Sequence, residues 1–88
     1  MASKTVGEIL TDMSAGREIR FSDLAKVCEH YFGRPRQGGT SHHVYKTPWP
    51  LDPRVNIQNA NGKSKPYQVR QVLKAIAKLK EIEAAKKK

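Results

Sequence analysis

His42 and His43 stand side by side, between Gly38-Gly39-Thr40-Ser41 and Val44-Tyr45-Lys46. Imidazole is the side chain whose unperturbed pKa lets it both take and give a proton near neutral pH. The 88-residue chain around them carries 17 Lys and Arg against 8 Asp and Glu, a formal net charge of +9. That balance makes a polyanion the expected partner. A proton-transfer group on a phosphate-attracting surface points to RNA cleavage. Such a reaction needs a base to activate the 2′-hydroxyl or a water, or an acid to protonate the leaving oxygen. It also needs cations to stabilise charge on the phosphorus oxygens. Arg34, Arg36, Lys46 and Arg54 flank the pair in sequence and are of the right type.

Neighbours on a strand point to opposite faces, so the two histidines do not form an acid–base pair on one substrate. Which of them meets a ligand depends on register. If Tyr45 is buried, His43 shares its face and His42 shares the open face with Val44 and Lys46; if Val44 is buried, the assignment reverses. Tyr45 carries more apolar area, which makes His42 the first choice and His43 the second. No metal or cofactor is expected at the pair, because neighbouring strand residues diverge and no clustered cysteines or acids accompany them.

The elements that must position this motif are legible in outline. Thr5-Val6-Gly7-Glu8 has capping-box spacing, and Val6, Ile9, Leu10 and Met13 follow at i, i+3, i+4, i+7. They predict a short helix ending before Gly16, or equally an arm docked on the domain. A second helix is predicted with Ser22 as N-cap, Asp23 at the positive end of its dipole and Gly33 at its end. Leu24, Val27, Cys28 and Tyr31 share one face, extended by Phe32, while Asp23, Lys26 and Glu29 face water. Cys28 is thus a small core residue rather than a nucleophile. His30, between Glu29 and Tyr31, is a surface residue.

Gly33-Arg34-Pro35-Arg36-Gln37-Gly38-Gly39 is rich in breakers, so any strand there is short and at an edge. Residues 40–47 read as a strand. Pro48, Pro50 and Pro53 enforce a turn around Trp49, which reads as a hydrophobic plug over the sheet edge rather than a base-stacking platform. Residues 54–58 alternate polar and apolar, the pattern of a strand buried on one face. Asn59-Ala60-Asn61-Gly62 is a turn. The last helix starts near Ser64 with Pro66 in its first turn. Val69, Val72, Leu73, Ile76 and Leu79 form its buried stripe, Arg70, Lys74 and Lys78 project away, and Lys86-Lys87-Lys88 fray. The expected fold is α+β: a small antiparallel sheet with helices packed on one face, plus an extra N-terminal helix. Residues 1–18 form the helical arm, 19–83 the domain and 84–88 a basic tail.

Charge is unevenly spread: residues 1–32 carry net −1, residues 33–60 net +3 and residues 61–88 net +7. Lys63, Lys65, Arg70 and Lys74 therefore join the candidate phosphate contacts. The single cysteine cannot form an internal disulfide, which favours a reducing compartment. No apolar run approaches the ~20 residues that span a bilayer, and no signal-like stretch opens the chain. The expectation is a soluble, cytoplasmic protein with no membrane partner.

The order helix, glycine turn, Gly39-Thr40-Ser41-His42-His43-Val44-Tyr45, Val/Ile strand and closing helix resembles the HicA family of toxins from bacterial type II toxin–antitoxin systems. The resemblance covers about residues 19–80. It implies a fold similar to a double-stranded-RNA-binding domain, used as a small ribosome-independent mRNA interferase with one catalytic histidine. It also implies a HicB-like antitoxin that covers that histidine. Gly38, Gly39 and Ser41 match the family's turn. The family histidine three residues before the aromatic falls on His42, while counting from a turn without Thr40 permits His43. The chain departs from the family in its helix at residues 5–13, its longer and more basic last helix, and its proline-rich turn around Trp49. The competing expectations are a non-catalytic RNA-binding module using the same basic surface and, more weakly, a DNA-binding regulator. No helix-turn-helix pair supports the latter.

Overall fold

The computed structural model describes residues 4–35, 37–38, 42–50 and 54–86, in which three helices flank a small antiparallel sheet. The elements run α1 (Val6–Ser14), α2 (Phe21–Phe32), β1 (Gln37–Gly38), β2 (His42–Tyr45), β3 (Val55–Gln58) and α3 (Pro66–Lys86). The sheet order is β1-β2-β3. Of the sequence features singled out above, Arg36, Gly39, Thr40, Ser41, Pro53, Lys87 and Lys88 lie outside the described residues.

The capping box of α1 forms in full. Thr5 Oγ1 accepts from the Glu8 backbone N–H at 3.2 Å, and Glu8 Oε1 accepts from the Thr5 N–H at 3.0 Å. Two of the backbone donors that a helix start leaves orphaned are thereby satisfied. Ile9 and Met13 then enter the same buried cluster as Leu24, Val27, Cys28, Tyr45, Val55, Ile57, Val72 and Ile76. The first helix therefore shares the core of the rest of the chain. Lys26 Nζ also donates to the Lys4 carbonyl at 2.7 Å, tying α2 to the start of α1.

Helix α2 begins two residues earlier than the sequence suggests. Arg20, not Ser22, is the N-cap, and no side chain caps it; Ser22 lies inside the first turn. The reason is tertiary. The Phe21 N–H donates to the Gly62 carbonyl at 3.0 Å, while the Ser64 N–H donates to the Ile19 carbonyl at 2.8 Å. A side-chain cap is not needed where a neighbouring segment supplies the acceptor. That segment is a tight turn in which Ala60 and Lys63 exchange both backbone bonds, at 2.9 and 3.1 Å. Its central residues Asn61 and Gly62 both have positive φ, 56° and 82°, the conformation for which Asn-Gly is the preferred pair. Residues 19–21 and 60–64 thus clasp the approach to α2 against the approach to α3.

Strand β2 ends at Tyr45, two residues before the expected end at 47. It pairs His42 with Gln58, His43 with Ile57, Val44 with Asn56 and Tyr45 with Val55. After Tyr45 the strand stops, and Thr47 Oγ1 donates to the Trp49 carbonyl at 3.0 Å within the proline-rich turn. Tyr45, Val55 and Ile57 are buried, against helix α2. On the other edge of β2, β1 contributes two residues, Gln37 and Gly38, opposite Val44 and His43. Trp49 is buried and meets Phe32 edge-on, with ring centroids 6.2 Å apart. Lys78 does not project away from α3 as its stripe suggests; its ammonium lies over the Trp49 ring, 5.1 Å from the centroid. Helix α3 starts at Pro66, with the Lys65 carbonyl accepting its first bonds from Gln68 and Val69. Among the described residues no helix is long and apolar enough to cross a membrane.

Two stability predictions follow from this packing. Ile9→Ala should lower the unfolding free energy by about 2–5 kcal/mol, the range for emptying a core aliphatic site. Urea denaturation checks it; an arm merely docked on the domain would leave the midpoint unchanged. The second concerns Cys28, whose thiol is pushed up to about 12 by burial, with Glu29 adding a smaller push. Unfolded, the same thiol ionises near its ordinary value of about 8.5. Its contribution to stability is therefore complete below pH 8.5 and lost as pH climbs towards 12, at up to about 1.4 kcal/mol per pH unit. Denaturation midpoints measured from pH 7.5 to 10 should fall less steeply in Cys28→Ala than in the wild type.

Candidate functional site

Burial of Tyr45 at 3% exposure decides the faces of β2. His43 shares the side of Tyr45: its Nδ1 lies 3.2 Å from the Tyr45 hydroxyl, and its ring meets Phe21 edge-on at 5.0 Å. His43 is half-buried there. Desolvation holds the Tyr45 phenol well above its ordinary pKa, so the hydroxyl stays protonated as a partner for the imidazole. His42 is exposed on the opposite face.

That face carries a cleft of about 240 Å³ lined by His42, Arg54, Asn56, Gln58, Tyr67, Gln68 and Gln71. Three elements build it. Strand β2 supplies His42. Strand β3 and the residue before it supply Arg54, Asn56 and Gln58, whose period of two places them on one side. The first turns of α3 supply Tyr67, Gln68 and Gln71. Gln68 is buried, and its Oε1 accepts from the Gln58 backbone N–H at 3.0 Å. Its Nε2 lies 3.4 Å from the Tyr67 hydroxyl. One carboxamide therefore fixes the distance between the outer strand and the helix that faces it. Among the described residues no acidic side chain lines the cleft.

The basic residues expected around the histidines are only partly gathered. Arg54 lines the cleft with His42. Lys46 is exposed immediately after β2, and Arg34 is exposed just past α2. Lys74 is exposed on α3, and Lys65 is half-buried at the entry to that helix. Lys63 and Arg70 sit elsewhere: both line a separate, mostly apolar groove of about 520 Å³ between the end of α1 and the start of α3. Lys63 is also paired with Glu18 at 3.0 Å. A larger hollow, about 840 Å³, opens beside α1, where Lys4, Arg20 and Lys63 are balanced by Asp12, Glu18 and Asp23. The Lys4–Asp12 pair at 2.7 Å holds the Asp12 carboxyl below its usual range. With its charges matched, that hollow has no preference for a polyanion.

Chemically, the cleft pairs an exposed imidazole with a guanidinium and a rim of carboxamides. Imidazole exchanges protons, guanidinium offers a fork of donors to phosphate oxygens, and carboxamides both donate and accept. Among the described residues no three His, Cys, Asp or Glu side chains gather as a metal site requires. Asn56, Gln58, Tyr67, Gln68 and Gln71 were not singled out as site residues from sequence, although signals for them exist. Asn56 and Gln58 follow from the alternation of β3. Tyr67 and Gln71 are four apart on one helical face. Gln68 is a polar residue at a position four before Val72, where the stripe calls for an apolar one.

No protein-family model matches the chain, and no curated protein or solved structure matches it either.

Proposed function

We propose that the protein is a HicA-like endoribonuclease that cleaves RNA with His42, acts in the cytoplasm and is neutralised by a HicB-like antitoxin. The observation that carries this reading is the division of labour between the two histidines. His43 is held against Phe21 and Tyr45, whereas His42 stands exposed in a cleft with Arg54 that no acid lines among the described residues. The helix–strand–strand–strand–helix order from α2 to α3 supports a double-stranded-RNA-binding-domain-like arrangement, with α1 added in front.

In the proposed step, His42 takes the proton of a ribose 2′-hydroxyl as its oxygen attacks the adjacent phosphorus. The bond from phosphorus to the 5′-oxygen breaks, and that oxygen acquires a proton from solvent. Arg54 stabilises the charge that accumulates on the non-bridging oxygens. Lys46 and Arg34 draw in the flanking phosphates, a salt-sensitive contribution. The alternative is a non-catalytic module that binds RNA through the same surface.

Incubating the purified protein with a labelled single-stranded RNA separates the two. Fragments should accumulate with the wild type. His42→Ala should slow cleavage by about 100-fold or more, the usual contribution of a positioned general base, with an unchanged circular dichroism spectrum. Expression of the wild type, but not of His42→Ala, should arrest growth. Cleavage by His42→Ala and His43→Ala at the wild-type rate would overturn the mechanism, and binding without fragments would favour the module. Affinity for RNA should also fall steeply between 50 and 200 mM salt, with Arg54→Ala showing a shallower dependence.

A further inference from the structure

Tyr67 is 54% exposed, the one large hydrophobic side chain so exposed among the described residues. It does not sit at random. It lies in the first turn of α3, directly after Pro66, and lines the His42 cleft. Proline at that position fixes the local backbone, and Gln68 Nε2 near the phenol hydroxyl holds the ring's outer end. The ring is thus a fixed apolar surface presented to solvent beside a proton-transfer group.

The rest of the lining says what such a surface would meet. A site for phosphate alone would be lined by cations. Here Arg54 and His42 are accompanied by the carboxamides of Asn56, Gln58, Gln68 and Gln71. Gln68 is occupied in bonding Gln58 and Tyr67. Asn56 is exposed and Gln71 half-exposed. Carboxamides pair with the mixed donor and acceptor edges of nucleobases, and aromatic faces stack on the bases themselves.

We propose that Tyr67, with Asn56 and Gln71, forms a nucleobase subsite next to His42 that restricts the substrate to unpaired nucleotides. The proposal rests on the RNA reading above and adds to it the strandedness of the substrate. In an A-form duplex the bases are stacked on one another, and the deep, narrow major groove hides their edges. A base reaches the Tyr67 ring only if it is splayed from its neighbours. The phosphate beside that base is then delivered to His42 and Arg54.

The test uses the full chain and a non-cleavable probe, a fluorescent 2′-O-methyl oligoribonucleotide, as a single strand and as a duplex of equal length. Anisotropy titrations at one fixed salt concentration give both affinities for wild type, Tyr67→Ala and Tyr67→Phe. The wild type should prefer the single strand. Tyr67→Ala should weaken single-strand binding by roughly 5- to 150-fold, the range for losing one base–aromatic stack. It should leave the weaker duplex affinity and the salt dependence unaltered, and Tyr67→Phe should recover most of the loss. Thermal melting of each variant guards against a folding defect, which the exposure of the ring makes no part of the expectation. Equal single-strand affinity in Tyr67→Ala and wild type would overturn the subsite while leaving the RNA reading intact, and so would a wild-type preference for duplex. Absence of binding to either probe at low salt would overturn the RNA reading and the subsite with it.

Discussion

The burial of Tyr45 is the constraint on which the arrangement turns. Strand β2 has four residues and one ring large enough to matter to the core. Burying a side chain of that size contributes about 1.5–3 kcal/mol. Val44 on the inner side instead would bury less and leave the phenol ring in water. The choice also resolves a polar difficulty, because the Tyr45 hydroxyl finds His43 Nδ1 at 3.2 Å. With Tyr45 inside, a period of two leaves no freedom: His43 is drawn towards the helices and His42 turns out. The antiparallel register then sets Gln58 opposite His42 and Asn56 opposite Val44. A slip of one residue would invert all of these positions together. The identity of the exposed histidine is thus a consequence of core packing.

A second constraint brings α3 to the face so defined. The backbone N–H of Gln58 points out from the edge of the sheet, a group that would otherwise be unpaired and open to pairing with another chain. Gln68 covers it. The clasp between residues 19–21 and 60–64 brings the same segment in from the other side, through the Asn61-Gly62 turn. Together they hold the first turn of α3 against the end of β3. Tyr67 and Gln71 reach the cleft beside the buried Gln68, while Val72 turns into the core.

What could be read from the sequence was whatever depends on local period. The capping box of α1, the stripe Leu24, Val27, Cys28, the alternation of β3 and the face of His42 follow from spacing and apolar area alone. What could not be read depends on partners distant in sequence. The start of α2 at Phe21 is decided by the Gly62 carbonyl, forty-one positions away, so Ser22 looked like a cap and is not one. Lys78 looked like part of a solvated basic face and instead covers Trp49. Lys63 and Arg70 shared with Arg54 only their charge, and tertiary structure placed them on another side. The cleft shows the same division: its strand half was implicit in the β2–β3 pattern, whereas its helix half required the Gln58–Gln68 bond.

The charge of the molecule acquires direction from this placement. A net charge of +9 spread evenly would attract a polyanion to every side. Around α1 it is locally cancelled: Lys4 meets Asp12, Arg17 meets the same carboxylate at 3.4 Å, and Lys63 meets Glu18. These exposed pairs add little to stability. Their effect is to remove the α1 side from competition for phosphate. The His42 cleft carries Arg54 and, among the described residues, no acid, and Lys46 is exposed just past β2. In the proposed RNA reading, a polyanion within a Debye length, about 8 Å at physiological salt, is drawn less to the α1 side than to faces without matched acids. That cancellation is local because Asp12, Glu18 and Asp23 all line the hollow beside α1, opposite Lys4, Arg20 and Lys63.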